Sequence, residues 1–210
     1  LLLCGQTVEQ YDARAEALRL GISKQISIIG NVADKELSNI ISAADVCLCL
    51  HWPPSRETSA SWLRCLSAGK ATIITDLIHT SDVPSLDPRN WMEVGGPRSR
   101  TRQGLPIDAA CVSIDILDEG HSLSLALARL AVDTNLRTSL GKAARRLWSD
   151  RFTLEQMATN YERVIVTALA TAYDHDRQNN LPPHLLQDGK DTLRTLLKDV
   201  GIPSNTLFDR

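Results

Sequence analysis

The chain has 210 residues, about 1.4 times a typical ~150-residue domain, so one domain with an appendage is expected. Hydrophobic content of 43% and charged content of 23% fit a folded globular chain and exclude global disorder, a collagen-like fibre and a disulfide miniprotein. A net charge of −2 and 4% aromatic residues argue against nucleic acid as a partner, and no apolar run reaches the ~20 residues of a transmembrane segment.

The chain opens on Leu1-Leu2-Leu3-Cys4-Gly5, an apolar strand-like run without lead-in, which reads as a fragment starting in mid-fold. Tyr11–Leu20 carries Ala13, Ala17, Leu18 and Leu20 at helical spacing, with Gly21 as a stop. Ile26–Ile29 is a strand ending at Gly30. Asp34 is the expected N-cap of a helix with Leu37, Ile40, Ile41 and Ala44 on one face. Val46–Leu50 is nearly all apolar, as a strand covered on both faces should be. Thr58 or Ser59 can cap a helix running through Trp62, Leu63 and Leu66 to Ala68, with Gly69 as its C-terminal stop. Ala71–Thr75 is a further strand, rich in β-branched residues.

This alternation predicts a Rossmann-like, doubly wound parallel sheet of the α/β class. Ligands of such sheets sit beyond the C-terminal ends of the strands. The segments to inspect are therefore Gly5–Val8, Gly30–Ala33, His51–Ser59 and Asp76–Pro84. The rhythm breaks between Asp82 and Asp108, a Pro- and Gly-rich insert carrying Arg98, Arg100 and Arg102, which reads as a charged loop. Ala110–Ile114 resumes as a strand. Helices are expected near Ser122–Val132, Thr134–Asp150 and Leu154–Ala172, then a polar stretch and a last amphipathic helix near Thr192–Val200. Trp148, Phe152, Met157, Tyr161 and Val164 fall at helical spacing and read as core. His121 reads as helix-start chemistry, while His51 and His79 lie at the ligand edge. Cys4, Cys47, Cys49, Cys65 and Cys111 contain no C-x-x-C pair and have no histidine-rich partner. Free thiols packed as small hydrophobes, no metal site and a cytoplasmic location follow.

The segment from Pro53 to Ala60 ends an apolar strand and opens a helix, which makes it an anion site: free backbone N–H groups and the positive end of the helix dipole face the crevice. Thr58 and Ser59 add hydroxyl donors, and Glu57 adds an acceptor for sugar hydroxyls. An ordinary capped strand-to-helix turn is the bland alternative. Neither a P-loop nor a dinucleotide fingerprint is present.

Asn31-Val32-x-Asp34-x-Glu36-Leu37, Ala43-Ala44-Asp45-Val46, Glu57-Thr58-Ser59, Leu66-Ser67-Ala68-Gly69-Lys70 and Thr75-Asp76 together resemble the C-terminal, donor-binding half of GT-B retaining glycosyltransferases, in particular the bacterial type 1 group, family 4. Leu136-Arg137-x-x-Leu140-Gly141-x-x-Ala144-Arg145 resembles the closing helices of such chains. The resemblance covers 1–173, read as a nucleotide-sugar-binding domain, with 174–210 as a polar tail. It implies a nucleoside diphosphate sugar as donor, no cofactor, and an acceptor it does not name. The N-terminal GT-B domain that would bind that acceptor is expected to be missing, so residues 1–210 alone should be catalytically silent.

On that resemblance Glu57 holds donor-sugar hydroxyls, Thr58, Ser59 and Ala60 face the diphosphate, and Gly30, Asn31 and Val32 frame the base. The family pattern of Glu, seven residues, Glu is broken: Arg56 and Arg64 fall on its two positions, with Glu57 one residue late. A guanidinium has no acceptor for ribose hydroxyls, so Arg64 meets phosphate or the ribose is held elsewhere. Two alternatives stay open, a sugar-nucleotide epimerase and a degenerate GT-B-like half with a structural or partner-binding role.

Overall fold

The computed structural model describes residues 1–6, 8, 10–50, 58–95, 109–171, 182, 190–199 and 201. Its contacts divide the chain into two units, Leu1–Thr159 and Asn160–Arg210.

In the first unit, β1 (Leu2–Cys4) pairs in parallel with β2 (Ser27–Gly30). Between them lies α1 (Ala13–Arg19), capped by the Asp12 carboxylate, which accepts from the Arg14 and Ala15 N–H groups at 2.9 and 3.0 Å. Only Ala17 of this helix is buried. The two strands form a sheet of their own rather than continuing into the next one. After them come α2 (Asp34–Ala43), β3 (Val46–Cys49), α3 (Ala60–Ser67) and β4 (Ala71–Thr75). Next are β5 (Ser85–Leu86), β6 (Glu93–Val94), β7 (Cys111–Ile114), α4 (Glu119–Val132) and α5 (Thr134–Arg151). The main sheet runs β3-β4-β7-β5-β6, parallel except where β6 turns back on β5. This is the expected Rossmann-like α/β architecture.

The core follows from strand alternation. Ile74 and Cys111 point to the face covered by α3 and α5, where they meet Trp62, Leu66 and Ala144. Ala71, Ile73, Val112 and Ile114 point to the other face, against Ala126 and Leu130 of α4. All five residues of β4 are buried, as a central strand between two helical layers requires.

The Leu66–Lys70 and Leu140–Arg145 motifs turn out to be two sides of one contact. Gly69 takes φ +65° and closes α3 in a Schellman turn, its N–H donating to Leu66 C=O at 2.9 Å and that of Lys70 to Cys65 C=O at 3.1 Å. Gly141 of α5 lies against that turn: a Cβ there would stand 2.1 Å from the Gly69 carbonyl oxygen. Arg145, one turn on, donates to the Ser67 carbonyl. Lys70 reaches the other way, its Nζ donating to Ser42 C=O at 2.5 Å.

Four expectations need correction. Asp34 does not cap α2; the extended Ala33 holds that position and Asp34 is the first helical residue. Val46–Leu50 is not covered on both faces, because Leu48 of β3 is 38% exposed. The insert after Asp82 is not all loop: β5 and β6 lie in it, joined by a turn in which Asp87 N–H donates to Met92 C=O at 3.0 Å. The core stripe holds for half-buried Trp148 and Phe152, which pack on the α3–α5 face, but Met157, Tyr161 and Val164 are exposed. The last three belong to α6 (Leu154–Ala170), which has no buried residue. Of the thiols, Cys49, Cys65 and Cys111 are buried while Cys4 is exposed.

In the second unit, hydroxyls of Thr167 and Thr171 donate to carbonyls one turn back along α6. The amphipathic α7 (Lys190–Asp199) leaves Leu193 and Leu196 exposed. Among the described residues no helix is long and apolar enough to cross a membrane.

Candidate functional site

A cavity of about 410 Å³ opens at the carboxyl ends of β3 and β4, where an α/β sheet receives ligands. Among the described residues its mouth is formed by Thr58, Ser59, Ala60 and Ser61, the entry to α3. Ser59 is the N-cap: its backbone is extended and its Oγ accepts from Trp62 N–H at 3.3 Å. The hydroxyl answers one of the helix's unpaired donors, and the dipole end stays turned to the opening.

The side wall is apolar. Cys49, Ile74 and Val83 supply it from the sheet and the segment beyond β4, with Trp62 from α3 and Phe152 from the end of α5. The two rings meet edge to face with centroids 6.1 Å apart. Trp62 also spends its indole N–H on Thr72 Oγ1 at 3.3 Å, so it offers the cavity only ring surface.

The remaining wall is polar. A 3-10 turn (Ile78–Thr80) follows β4 and is tied down by Thr80, whose Oγ1 donates to Leu77 C=O at 2.9 Å and accepts from Leu77 N–H at 3.2 Å. The turn brings His79 to the cavity, which Thr75, the last residue of β4, also lines. Thr75 Oγ1 and His79 Nδ1 are both buried and have no hydrogen-bond partner among the described residues. Asp82, also on this wall, is paired with Arg151 at 3.2 Å. No described lysine or arginine lines the cavity, and no described group of His, Cys, Asp or Glu could hold a metal ion.

Next along the same sheet edge, Asp76, Asp115 and Asp87 follow the neighbouring strands β4, β7 and β5. Arg89 joins two of them, donating to Asp87 and Asp115 at 3.0 Å each. The Arg89 guanidinium holds the Asp87 carboxyl below its ordinary value. Asp76 is pushed the other way, by burial first and then by the Asp115 and Asp87 charges. Burial alone raises the Cys111 thiol, and on β3 the neighbouring Cys65 thiol raises Cys47, with burial adding to it.

Of the residues singled out in the sequence, Thr58, Ser59 and Ala60 meet on the cavity, while Gly30, Asn31, Val32 and Arg64 do not line it. Gly30 ends β2 with φ +71°, and its carbonyl accepts from Gly5 N–H at 2.9 Å. Arg64 pairs with Asp34 at 2.9 Å, tying α3 to the first residue of α2 and using a guanidinium N–H that a phosphate would otherwise take. Glu57, His51 and the Arg98–Arg102 cluster lie outside the described residues. Sequence reasoning had His79 at the ligand edge but missed Trp62 and Phe152 as cavity wall. Thr75 was named in the sequence only as the end of the Ala71–Thr75 strand and within the Thr75-Asp76 motif of the resemblance.

The strand order, the two helical layers and a cleft at the carboxyl edge define a Rossmann-like α/β domain of the kind found in GT-B glycosyltransferases. No protein-family model and no curated protein sequence matches the chain. Among solved structures, sucrose-phosphate synthase from Thermosynechococcus elongatus is similar over 82% of this chain and 39% of its own, with a TM-score of 0.55 and 19% identity. WaaG, a glycosyltransferase involved in lipopolysaccharide biosynthesis, is similar over 72% of this chain and 34% of its own, with a TM-score of 0.48 and 19% identity. The chain therefore spans well under half the length of either protein.

Proposed function

We infer that this chain is the donor-binding half of a retaining, metal-independent GT-B glycosyltransferase that moves a sugar from a nucleoside diphosphate to an acceptor hydroxyl. The observation that supports it best is the cavity at the entry to α3, where a capped helix start and an uncharged, partly aromatic wall meet at the sheet's carboxyl edge. In transfer, the bond between the anomeric carbon and a phosphate oxygen breaks. The acceptor oxygen takes over that carbon, and its proton leaves with the diphosphate. The barrier falls when donors already face the growing phosphate charge, and the N–H groups at Ala60 and Ser61 with the Thr58 hydroxyl would be those donors. Glu57 would hold sugar hydroxyls, with Gly30, Asn31 and Val32 toward the base.

Ala60→Pro tests the reading. Ala60 is the first helical residue, a position that accepts proline, and Ser59 before it has the extended backbone that a following proline requires (φ −63°, ψ 116°). The variant should melt like the parent while binding UDP, ADP or GDP about fivefold more weakly by calorimetry, since one donor to the anion is gone. Unchanged affinity, or no binding of any of the three by the parent chain, would overturn the assignment.

One observation favours the second reading, a degenerate half that serves a partner. Arg64 stands where the family pattern has a glutamate, and it is engaged with Asp34. Absence of nucleotide binding at millimolar concentration is the result that reading requires.

A further inference from the structure

We propose that Cys49 and Cys65 are a peroxide-responsive pair, whose thiols close into a reversible disulfide between β3 and α3 beside the cavity. Cys49 Sγ lies 3.9 Å from Cys65 Sγ. Cys49 ends β3 opposite Ile74 of β4 in the parallel register, so both side chains turn to the face that α3 covers. Trp62, one turn before Cys65 on α3, belongs to the same buried cluster, and Trp62, Ile74 and Cys49 all line the cavity. The two thiols are buried, their residues 8% and 5% exposed, but Cys49 borders a cavity of about 410 Å³, wide enough for a molecule of peroxide. A disulfide holds its sulfurs about 2.05 Å apart, so each must move by roughly 0.9 Å, a displacement that rotation about the two χ1 angles can supply.

Hydrogen peroxide is the co-reactant, because a peptide disulfide is too large for a pair this buried. Cys49 Sγ gives up its proton and attacks one peroxide oxygen. The O–O bond breaks, Cys49 becomes a sulfenic acid, and the departing hydroxide takes up that proton as water. Cys65 Sγ then attacks the sulfenic sulfur, the S–O bond breaks, and hydroxide leaves as a second water with the Cys65 proton. Two thiols lose two electrons in all, and one peroxide becomes two waters. A dithiol reopens the bond by exchange. The Cys47 thiol pulls Cys65 down, but the Cys49 thiol and burial outweigh it and push Cys65 up to about 12. Little thiolate is then present near neutral pH, and closure takes minutes to hours rather than seconds. In a thiol-reducing compartment such a pair stands open and closes only under oxidant.

The test uses the 210-residue chain carrying Cys4→Ser, since exposed Cys4 would otherwise link two chains. It is held in millimolar hydrogen peroxide, then unfolded, alkylated and read by mass spectrometry. Of the four cysteines that remain, two should resist alkylation, with the mass lower by two hydrogens, and dithiothreitol should restore all four. Fragment spectra of the tryptic peptides should join Cys49 to Cys65. Cys47→Ser should still lose two thiols, whereas Cys49→Ser should not. Where Cys49→Ser fails to fold, the fragment spectra of the parent chain decide. Four alkylated cysteines after overnight oxidation, or sulfinic acid at Cys49 in place of a bridge, would overturn the proposal. So would a bridge from Cys65 to its other thiol neighbour, Cys47, with Cys49→Ser closing as readily as the parent. A Cys49–Cys65 bond that forms equally fast in concentrated urea would show that the fold does not select the pair, and would overturn it too.

Discussion

Single side chains around the sheet edge carry opposite signs of stability. Asp87 is held below its ordinary value by Arg89, so its contribution is fully present above pH 3.8 and is lost as the pH falls through its lower folded value. Asp76 is raised, so it is a cost at neutral pH that disappears once the medium falls below 3.8 and the carboxyl is protonated in both states. Asp87→Asn should therefore lower Tm by about 2–4 °C at pH 7, since it weakens a bonded pair worth roughly 1 kcal/mol. Asp76→Asn should raise Tm at pH 7, with the gain shrinking toward zero in melts at pH 3. A rise at both pH values would mean that charge is not the cause. Ser59→Ala removes the α3 cap and should cost about 1 kcal/mol, or some 2–4 °C, in the same thermal melts.

Between elements, the tightest constraint is the crossing of the α3 turn with α5. Gly141→Ala would put a methyl group 2.1 Å from a backbone oxygen, which no rotamer can relieve. Either the helices separate or the turn deforms, at a cost of about 1–3 kcal/mol or more, and urea midpoints should shift accordingly. The unit from Ser59 to Thr75 was legible in the sequence because its signals are local: a hydroxyl cap, a glycine that can take positive φ, and a β-branched run. The β5–β6 pair was not, because two-residue strands have no periodicity to read. What fixes them is remote, such as Gly95, where a Cβ would stand 2.3 Å from the Val83 carbonyl oxygen. Asp34 looked like a cap for the right chemical reason, yet its carboxylate serves Arg64, thirty positions away. The cavity was half legible. Its helix side is a contiguous segment, whereas its other walls join Thr75, His79 and Phe152 from three separate stretches of chain.

Across the whole molecule, burial is concentrated in β4 and β7 and is absent from α6. Amides of Ile73, Ile74 and Val112 should exchange slowest with deuterated solvent, and those of α6 and of α7 orders of magnitude faster. Comparable protection of α7 and β4 by mass spectrometry would contradict the burial pattern. The indole of Trp62 has a separate consequence. It is 4% exposed, its N–H is already engaged, and one edge of its ring borders the cavity. Trp91 and Trp148 lie instead under the guanidinium groups of Arg129 and Arg145, at 4.7 and 4.6 Å from the ring centres. Filling the cavity changes the surroundings of Trp62 and leaves those two rings as they are. The protein thus carries its own optical reporter: a ligand that enters should alter the short-wavelength part of the intrinsic emission, and Trp62→Phe should weaken that response.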